Sequence, residues 1–327
     1  MKIGIILAAM VGVAVAIGIV AWFGFGAVFL ALGRIGWPGF IVLCLYNALP
    51  FACLGGAWFV LQKPPPPMTL ARMIAARVVR DASGELLPFS HLAGLVVGAR
   101  AAILGGLAPS AAFSTTVVDV TAELIAQLGF TVGGVALLVM RLGSHANHND
   151  LVQAAGLGLG LSTLGAAGFI AVQRRGGPLV QAMISRFAPE AADQAAEVGR
   201  AINAIYQQPW RILAGVALHL CAWVASGVGV WLALSVAGIS VSLTGILALE
   251  ALVGAVRSVA FMAPMGVGVQ EATYALIGPL FGLGPDLALA ISLIKRARDI
   301  VIGVPALIVW QGLEGRKLIA DRGSARD

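Results

Sequence analysis

Charge is scarce in this chain, and its scarcity excludes most soluble architectures. Only 11% of the 327 residues are charged, whereas 59% are hydrophobic, and the mean hydropathy is +0.95. Several apolar runs reach about 20 residues, which is enough to cross a hydrocarbon core about 30 Å thick. The sequence therefore predicts a single all-α domain, a polytopic membrane helix bundle with about 7–9 membrane segments.

Cysteine and the common catalytic motifs are also rare or missing. The three cysteines lie within apolar segments and show no CxxC spacing, so neither a disulfide nor a thiolate metal site is expected. The sequence contains no Walker phosphate loop, HExxH or GxSxG motif. A polar loop with His145 and His148 resembles a metal site in composition alone. We therefore expect no cofactor, no metal and no enzymatic activity.

The apolar runs predict membrane spans separated by polar connections. The first run is too long for the h-region of a cleaved signal peptide, so we expect it to be a retained span. Four prolines, Pro64 to Pro67, stop the second span. The predicted spans lie at about 3–24, 37–61, 110–141, 151–171, 210–236, 243–261 and 286–312.

Basic residues are scattered among the connections. The net charge is +6, but this distribution indicates membrane topology and no nucleic-acid partner. Positive charge concentrates at 63–80, at 172–211 and in the C-terminal tail, so these regions and both termini are expected in the cytoplasm. A helix with Arg72, Arg77 and Arg80 is expected at the membrane interface. Residues 172–209 are expected to form an amphipathic cytoplasmic loop.

Two segments place prolines, glycines and charges where an uninterrupted membrane helix is expected. They are LLPFSHLAGLVVGAR, from Leu86 to Arg100, and MAPMGVGVQEA, from Met262 to Ala272. Interrupted backbone is tolerated in a membrane only inside protein or beside a water-filled cavity. The two segments are therefore predicted to line a polar pathway. The crossings add up only if one segment spans the membrane and the other re-enters it.

An imperfect internal repeat relates these segments. A shift of 176 positions superimposes Pro88 on Pro264, Pro109 on Pro285, and Gly106-Leu107 on Gly282-Leu283. The repeat-like halves cover about 86–141 and 262–312. Duplicated halves with interrupted helices are typical of secondary transporters, whose substrate lies at the repeat interface.

Charged residues inside the predicted spans are the candidate site residues. Asp119 and Glu123 lie four apart on one helix face, and Arg100 is their expected partner. They are either a site for a headgroup or a proton, or a buried structural ion pair.

The second half has its own set of charges. Glu250 and Arg257 share a helix face, and Arg257 is expected to face Glu250, Glu271 or a water-filled groove. Lys295 pairs with Asp299 along the helix, or this cluster binds an anionic headgroup. Pro264 and the nearby glycines could expose backbone amides to a ligand. The full set of substrate-binding or transport candidates is Pro88, His91, Gly94, Arg100, Asp119, Glu123, Glu250, Arg257, Pro264, Gly266, Gly268, Glu271, Lys295, Arg298 and Asp299.

The second broken segment resembles the proline–glycine–glutamate signature of the flippase-like membrane domain associated with lysylphosphatidylglycerol synthases. The first, followed by VVDVTAEL, resembles the paired motif of that family. The residues of the two segments are similar to those of its hopanoid-biosynthesis-associated branch. Pro264, Gly266, Gly268 and Glu271 match the second motif. The first is matched loosely, by Pro88, Gly94 and Arg100. The resemblance implies movement of a lipid, or of its headgroup, across the inner membrane.

The expected function is thus a bacterial inner-membrane lipid translocator, or a protein associated with lipid transport, for hopanoid or related lipids. The headgroup would pass through a groove between the broken segments, passively or coupled to protons through Asp119 and Glu123. The expected partners are hopanoid-like or anionic lipids, and lipid-synthesis or transport proteins. One alternative is a membrane enzyme or subunit that modifies an isoprenoid or glycolipid headgroup, although lysyl transfer is not expected. Another is a scaffold for lipid-synthesis enzymes.

Overall fold

The computed structural model describes residues 25–63, 66–86, 90–142, 192–259 and 268–324, together with the single residues 156, 160 and 163. Every regular element in these ranges is helical, which confirms the predicted all-α class. The helices are α1 (Phe25–Tyr46), α2 (Ala48–Phe59), α3 (Leu70–Leu86), α4 (Ser90–Leu104), α5 (Pro109–Leu142), α6 (Ala192–Tyr206), α7 (Pro209–Val236), α8 (Leu243–Val259), α9 (Val269–Ile277) with a 3-10 turn (Gly278–Phe281), and α10 (Pro285–Ser324).

Three described stretches are long and apolar enough to cross a membrane. They are Leu32–Phe59, Pro109–Leu138 and Pro209–Val236, and they correspond to the spans predicted at about 37–61, 110–141 and 210–236. The prediction at about 3–24 lies outside the described residues, as does most of that at about 151–171. The total of 7–9 segments therefore stays a prediction.

The helices define two ends of the bundle. Arg34 on α1 pairs with Asp286 at the start of α10, at a distance of 3.5 Å, and we call this the Arg34 end. At the opposite end, Arg211 at the start of α7 donates to the carbonyl of Gln62, and we call this the Arg211 end. Helix α10 runs from the first to the second, where Glu314 pairs with Arg100.

Helices α3 and α4 form an antiparallel pair, the first hairpin. Gly94 lies against the backbone of Gly84, and Gly98 lies against the side chain of Arg80. Close backbone approach at glycines four residues apart is a common way for membrane helices to pack. At the open end of the hairpin, Arg72 donates to the carbonyl of Gly105 at 3.3 Å. The chain thus leaves the first hairpin where it entered, at the Arg211 end.

Helices α8 and α9 form a second hairpin from the other end of the bundle. Arg257 near the end of α8 bonds to Gln270 near the start of α9. Glu250, two turns earlier in α8, bonds to Tyr274. Ile246 and Phe281, near the two open ends, belong to the hydrophobic cluster at the Arg34 end. Both hairpins return to the end of the bundle where they began. Whether each broken segment crosses the membrane or re-enters it stays a prediction.

The expectation that the arginine-rich helix lies at the interface was also wrong. Arg77 and Arg80 are buried on α3, because α3 packs among α2, α4 and α10 in the interior of the bundle. The low overall hydropathy of this helix reflects charges that are paired inside the protein.

The turns before α5 and α10 have the same hydrogen bonds, 176 residues apart. Leu107 donates to Ala102 at 3.0 Å, and Leu283 donates to Gly278 at 3.2 Å. Gly106 and Gly282 both have positive φ, at 112° and 82°. Gly238 ends α7 with the same kind of turn. This turn is common at helix C-termini, so its type alone does not indicate a repeat. The agreement in position, more than the turn type, supports the repeat.

Replacing Gly98 by alanine should destabilise the protein by about 1–3 kcal/mol, because overpacked helices must separate. The added Cβ would lie 2.6 Å from Cβ of Arg80. Thermal unfolding of the detergent-solubilised protein measures the effect. Gly133→Ala is the matched control, because a Cβ at Gly133 meets nothing within 4 Å; equal midpoints for the two variants would contradict the packing role.

Candidate functional site at the helix breaks

A network of four charges joins α3 to α5. Arg77 donates to Asp119 at 2.8 Å and to Glu123 at 3.0 Å. Arg80 donates to the same two carboxylates, reaching Glu123 at 3.0 Å. Guanidinium groups suit this arrangement because their planar N–H donors can serve two oxygens at once. Two arginines three apart on one helix therefore match two acids four apart on the other.

Three further side chains complete this first network. Nε2 of His219, on α7, lies 3.0 Å from Oδ1 of Asp119, and both residues are fully buried. The ring of Trp58 lies 5.7 Å from the guanidinium carbon of Arg80, a cation–π contact. Asp81 binds Arg77 from the side, at 2.8 Å. The network thus holds three carboxylates, two guanidiniums and one imidazole.

The predicted partner of the acids was wrong. Arg100 pairs with Glu314 on α10, with Nε 2.8 Å from Oε1, and Asp119 and Glu123 are held by Arg77 and Arg80. The sequence contained a signal for the correct partners, since a pair of arginines at helical spacing precedes a pair of acids. It could not show that the arginine helix is interior.

A second network joins α8, α9 and α10. Lys295 lies 2.5 Å from Oε2 of Glu250 and donates to the hydroxyl of Tyr274 at 2.9 Å. That hydroxyl in turn donates to Glu250. The predicted Lys295–Asp299 pairing along the helix was therefore wrong, and Asp299 pairs with its neighbour Arg298 at 2.7 Å. Tyr274 was not among the candidates, because a single tyrosine has no motif.

The start of α9 is capped within the chain. Gly268 has a φ of 81°, and its N–H donates to Oε2 of Glu271 at 2.9 Å. The other oxygen of Glu271 accepts from Arg296 at 2.9 Å. The amide that we expected to be open to a ligand at Gly268 is thus already bound by Glu271.

Arg257 joins the two hairpins. One nitrogen donates to Gln270 at 3.0 Å, and the other lies 2.5 Å from Oε1 of Glu85. Glu85 is the penultimate residue of α3 and Arg257 is near the end of α8, so this ion pair lies beside both interruptions. The prediction that Arg257 faces Glu250 or Glu271 was wrong, and its third alternative, a water-filled groove, stays a prediction. Glu85 was missed because it precedes the motif.

Both networks lie deep in the bundle. His219 is ten residues after the start of α7, or about 15 Å along its axis. Glu250 lies beside Gly227, which is nine residues, or about 14 Å, from the end of α7. The two networks therefore lie on either side of the middle of this predicted span.

The two networks also contain residues that the predicted repeat would superimpose. The 176-residue shift superimposes Asp119 on Lys295 and Glu123 on Asp299. In the first half the acid is on α5 and the arginines precede the break. In the second half the base is on α10 and the acid, Glu250, precedes the break. The principal ion pair is thus reversed in sign between the halves.

Asp119, Glu123 and His219 offer donor atoms within 4.8 Å of one another, a grouping that could hold a metal ion. However, the two carboxylates already accept from Arg77 and Arg80. Two guanidinium charges at the same oxygens oppose a divalent cation. The residues fit an ion-pair network better than a metal centre.

The remaining five candidates are two glycines, two prolines and a histidine of the two broken segments. Gly94 packs α4 against α3, which is a structural role. His91 falls in the first turn of α4. Pro88, Pro264 and Gly266 lie outside the described residues.

A helix bundle with membrane-length apolar spans and paired charges at depth defines a polytopic membrane protein. The chain belongs to the family described as the lysylphosphatidylglycerol synthase TM region, whose sequence profile matches residues 9–306. No curated protein and no solved structure matches the chain. Family membership associates it with lipid metabolism in a membrane.

Asp119→Asn should cost about 3 kcal/mol of stability, because it removes the fully buried carboxylate that accepts from both guanidiniums. Among the described residues, only Asp81 and Glu123, whose side chains are each 25% exposed, remain to neutralise Arg77 and Arg80.

Asp286→Asn is the matched control. Asp286 also pairs with an arginine, but its side chain is 82% exposed, and such pairs contribute less than about 1 kcal/mol. Thermal unfolding of both variants measures the difference, and an Asp119→Asn midpoint equal to that of Asp286→Asn would show that the network is not stabilising.

Proposed function

We propose that the protein moves a lipid across the bacterial inner membrane. The headgroup passes beside the Arg257–Glu85 pair while the apolar body stays in the bilayer. The observation that carries this proposal is the Arg257–Glu85 ion pair, which joins the hairpins next to both interruptions. A partly exposed ion pair at membrane depth is costly, and such charges usually serve a transport route.

The direction of the hairpins supports a transport architecture. The first enters from the Arg211 end and the second from the Arg34 end, with related positions 176 residues apart. We propose that both are re-entrant and that they form an inverted repeat. In transporters built this way, the substrate lies between the repeats near the bilayer midplane.

The different charge of the two ends of the bundle supports an orientation of the protein across the membrane. Basic residues gather at or beside the Arg211 end, and under the positive-inside rule this end faces the cytoplasm. The same orientation puts the C-terminus in the cytoplasm. The basic residues concerned are Lys63, Arg72, Arg211, Arg316 and Lys317.

The candidate cargoes are the two lipid classes expected from the sequence, hopanoid-like lipids and anionic lipids. The alternatives, a headgroup-modifying enzyme and a scaffold for lipid-synthesis enzymes, predict different products. An enzyme changes the mass of the lipid, whereas a scaffold neither moves nor changes it.

Purified protein in liposomes tests the proposal. Headgroup-labelled lipids in both leaflets are exposed to a membrane-impermeant quencher, and mass spectrometry of the recovered lipid detects any chemical change. We expect loss of fluorescence beyond the outer-leaflet fraction, with no change of mass. Protection of the inner leaflet equal to that in protein-free liposomes, for hopanoid and phospholipid alike, would overturn the proposal.

Glu271→Gln should slow translocation at least about tenfold, equivalent to about 1.4 kcal/mol, because Arg296 loses its counter-ion at the second interruption. The control is Glu197→Gln, the same change on the exposed side of α6, where Glu197 accepts from Ser110. Equal rates in the two variants, at equal thermal stability, would contradict a role for Glu271.

A further inference from the structure

We infer that Arg257 binds the anionic group of the lipid, a phosphate or carboxylate, and that Glu85 holds this place as an exchangeable counter-ion. The inference rests on the proposed function and narrows its substrate. In the structure, the Glu85 carboxylate accepts from Arg257 at the position that we assign to the anion of the lipid.

Arg34 and Arg100 are more exposed, but they lie at the two ends of the bundle. Among the paired cations deeper in the described part of the bundle, accessibility distinguishes Arg257. The side chains of Arg257 and Glu85 are each 28% exposed. The other cations are closed off by their partners, with exposed fractions of 10% or less: Arg77, Arg80, Lys295, Arg296 and Arg298. A ligand can therefore reach the Arg257–Glu85 pair without opening the others.

The geometry holds the guanidinium in place independently of Glu85. Gln270 accepts from Arg257 at 3.0 Å, while its amide nitrogen donates to Oγ of Ser292 at 3.0 Å. This part-buried contact with a neutral side chain fixes one side of the guanidinium and leaves the side facing Glu85 for an anion. Carboxylate and phosphate oxygens fit the same N–H donors, so one can replace the other.

An exchange avoids an unpaired buried charge. Removing Glu85 alone would leave Arg257 without a counter-ion, which is costly. An incoming anion keeps Arg257 neutralised at every stage. The released carboxylate is on the last turn of α3, in a partly exposed position where water can solvate it.

This requirement selects the substrate class. A hopanoid whose headgroup carries only hydroxyls has no charge with which to replace the carboxylate. An anionic phospholipid, or any lipid with a phosphate or carboxylate headgroup, does. Of the two lipid classes expected from the sequence, the anionic one fits this site.

Binding of fluorescent phosphatidylglycerol to the full chain in detergent micelles tests the inference by anisotropy. We expect Glu85→Gln to tighten the apparent Kd about tenfold, because the internal competitor is removed. Arg257→Gln should weaken it at least about tenfold. Glu197→Gln is the control and should leave the Kd unchanged. Glu85→Asp, which retains the charge on a shorter side chain, should tighten binding less than Glu85→Gln and serves if the amide variant unfolds.

Three competitors identify the ligand. An unlabelled polyhydroxylated hopanoid should not displace the probe, whereas unlabelled phosphatidylglycerol should. Inorganic phosphate should compete only at concentrations far above those of the lipid. Unchanged or weaker binding in both Glu85 variants, equal displacement by the hopanoid, or displacement by phosphate at lipid concentrations would overturn the inference.

The outcome is separable from that of the proposed function. If wild-type protein moves lipid in liposomes but the Glu85 and Arg257 variants bind the probe as wild type does, the exchange is wrong and translocation stands. If the variants bind as expected but wild-type protein moves no lipid, the anion site stands and the transport proposal falls.

Discussion

Charges can be kept at bilayer depth only when each meets a partner of opposite sign, and the ion pairs between helices meet this condition. Arg77 and Arg80 neutralise Asp119 and Glu123 between α3 and α5. Lys295 neutralises Glu250 between α10 and α8. These contacts also fix how each hairpin lies against the helix that follows it. The position of both interruptions therefore depends on them.

Local patterns predicted the helices well because each carries its own signal. The apolar length of α5 and α7, the prolines that begin α5 and α10, and the glycine turns before them can all be recognised from neighbouring residues. Such features depend on backbone geometry and hydrophobic length.

The pairing of charges was mostly mispredicted, because it depends on which helices are neighbours. The acids at 119 and 123 were correctly placed on one face, but Arg77 and Arg80 were assigned to the interface, since their helix has too few apolar residues to indicate a buried position. Glu85 and Tyr274 carry no motif, so only the antiparallel packing of the hairpins identifies their partners. A single sequence gives the spacing along a helix, but not the contact across it.

The sign reversal between Asp119 and Lys295 argues that the two halves do different work. The first network surrounds its acids with two guanidiniums and an imidazole, and Trp58 packs on one of these guanidiniums, which favours a rigid support. In the second half, Arg257 pairs with Glu85 of the first hairpin, and both side chains are partly exposed. Separation of Arg257 from Glu85 would leave each network paired within its own half, so of the contacts between the two hairpins this pair has the lowest electrostatic cost of exchange.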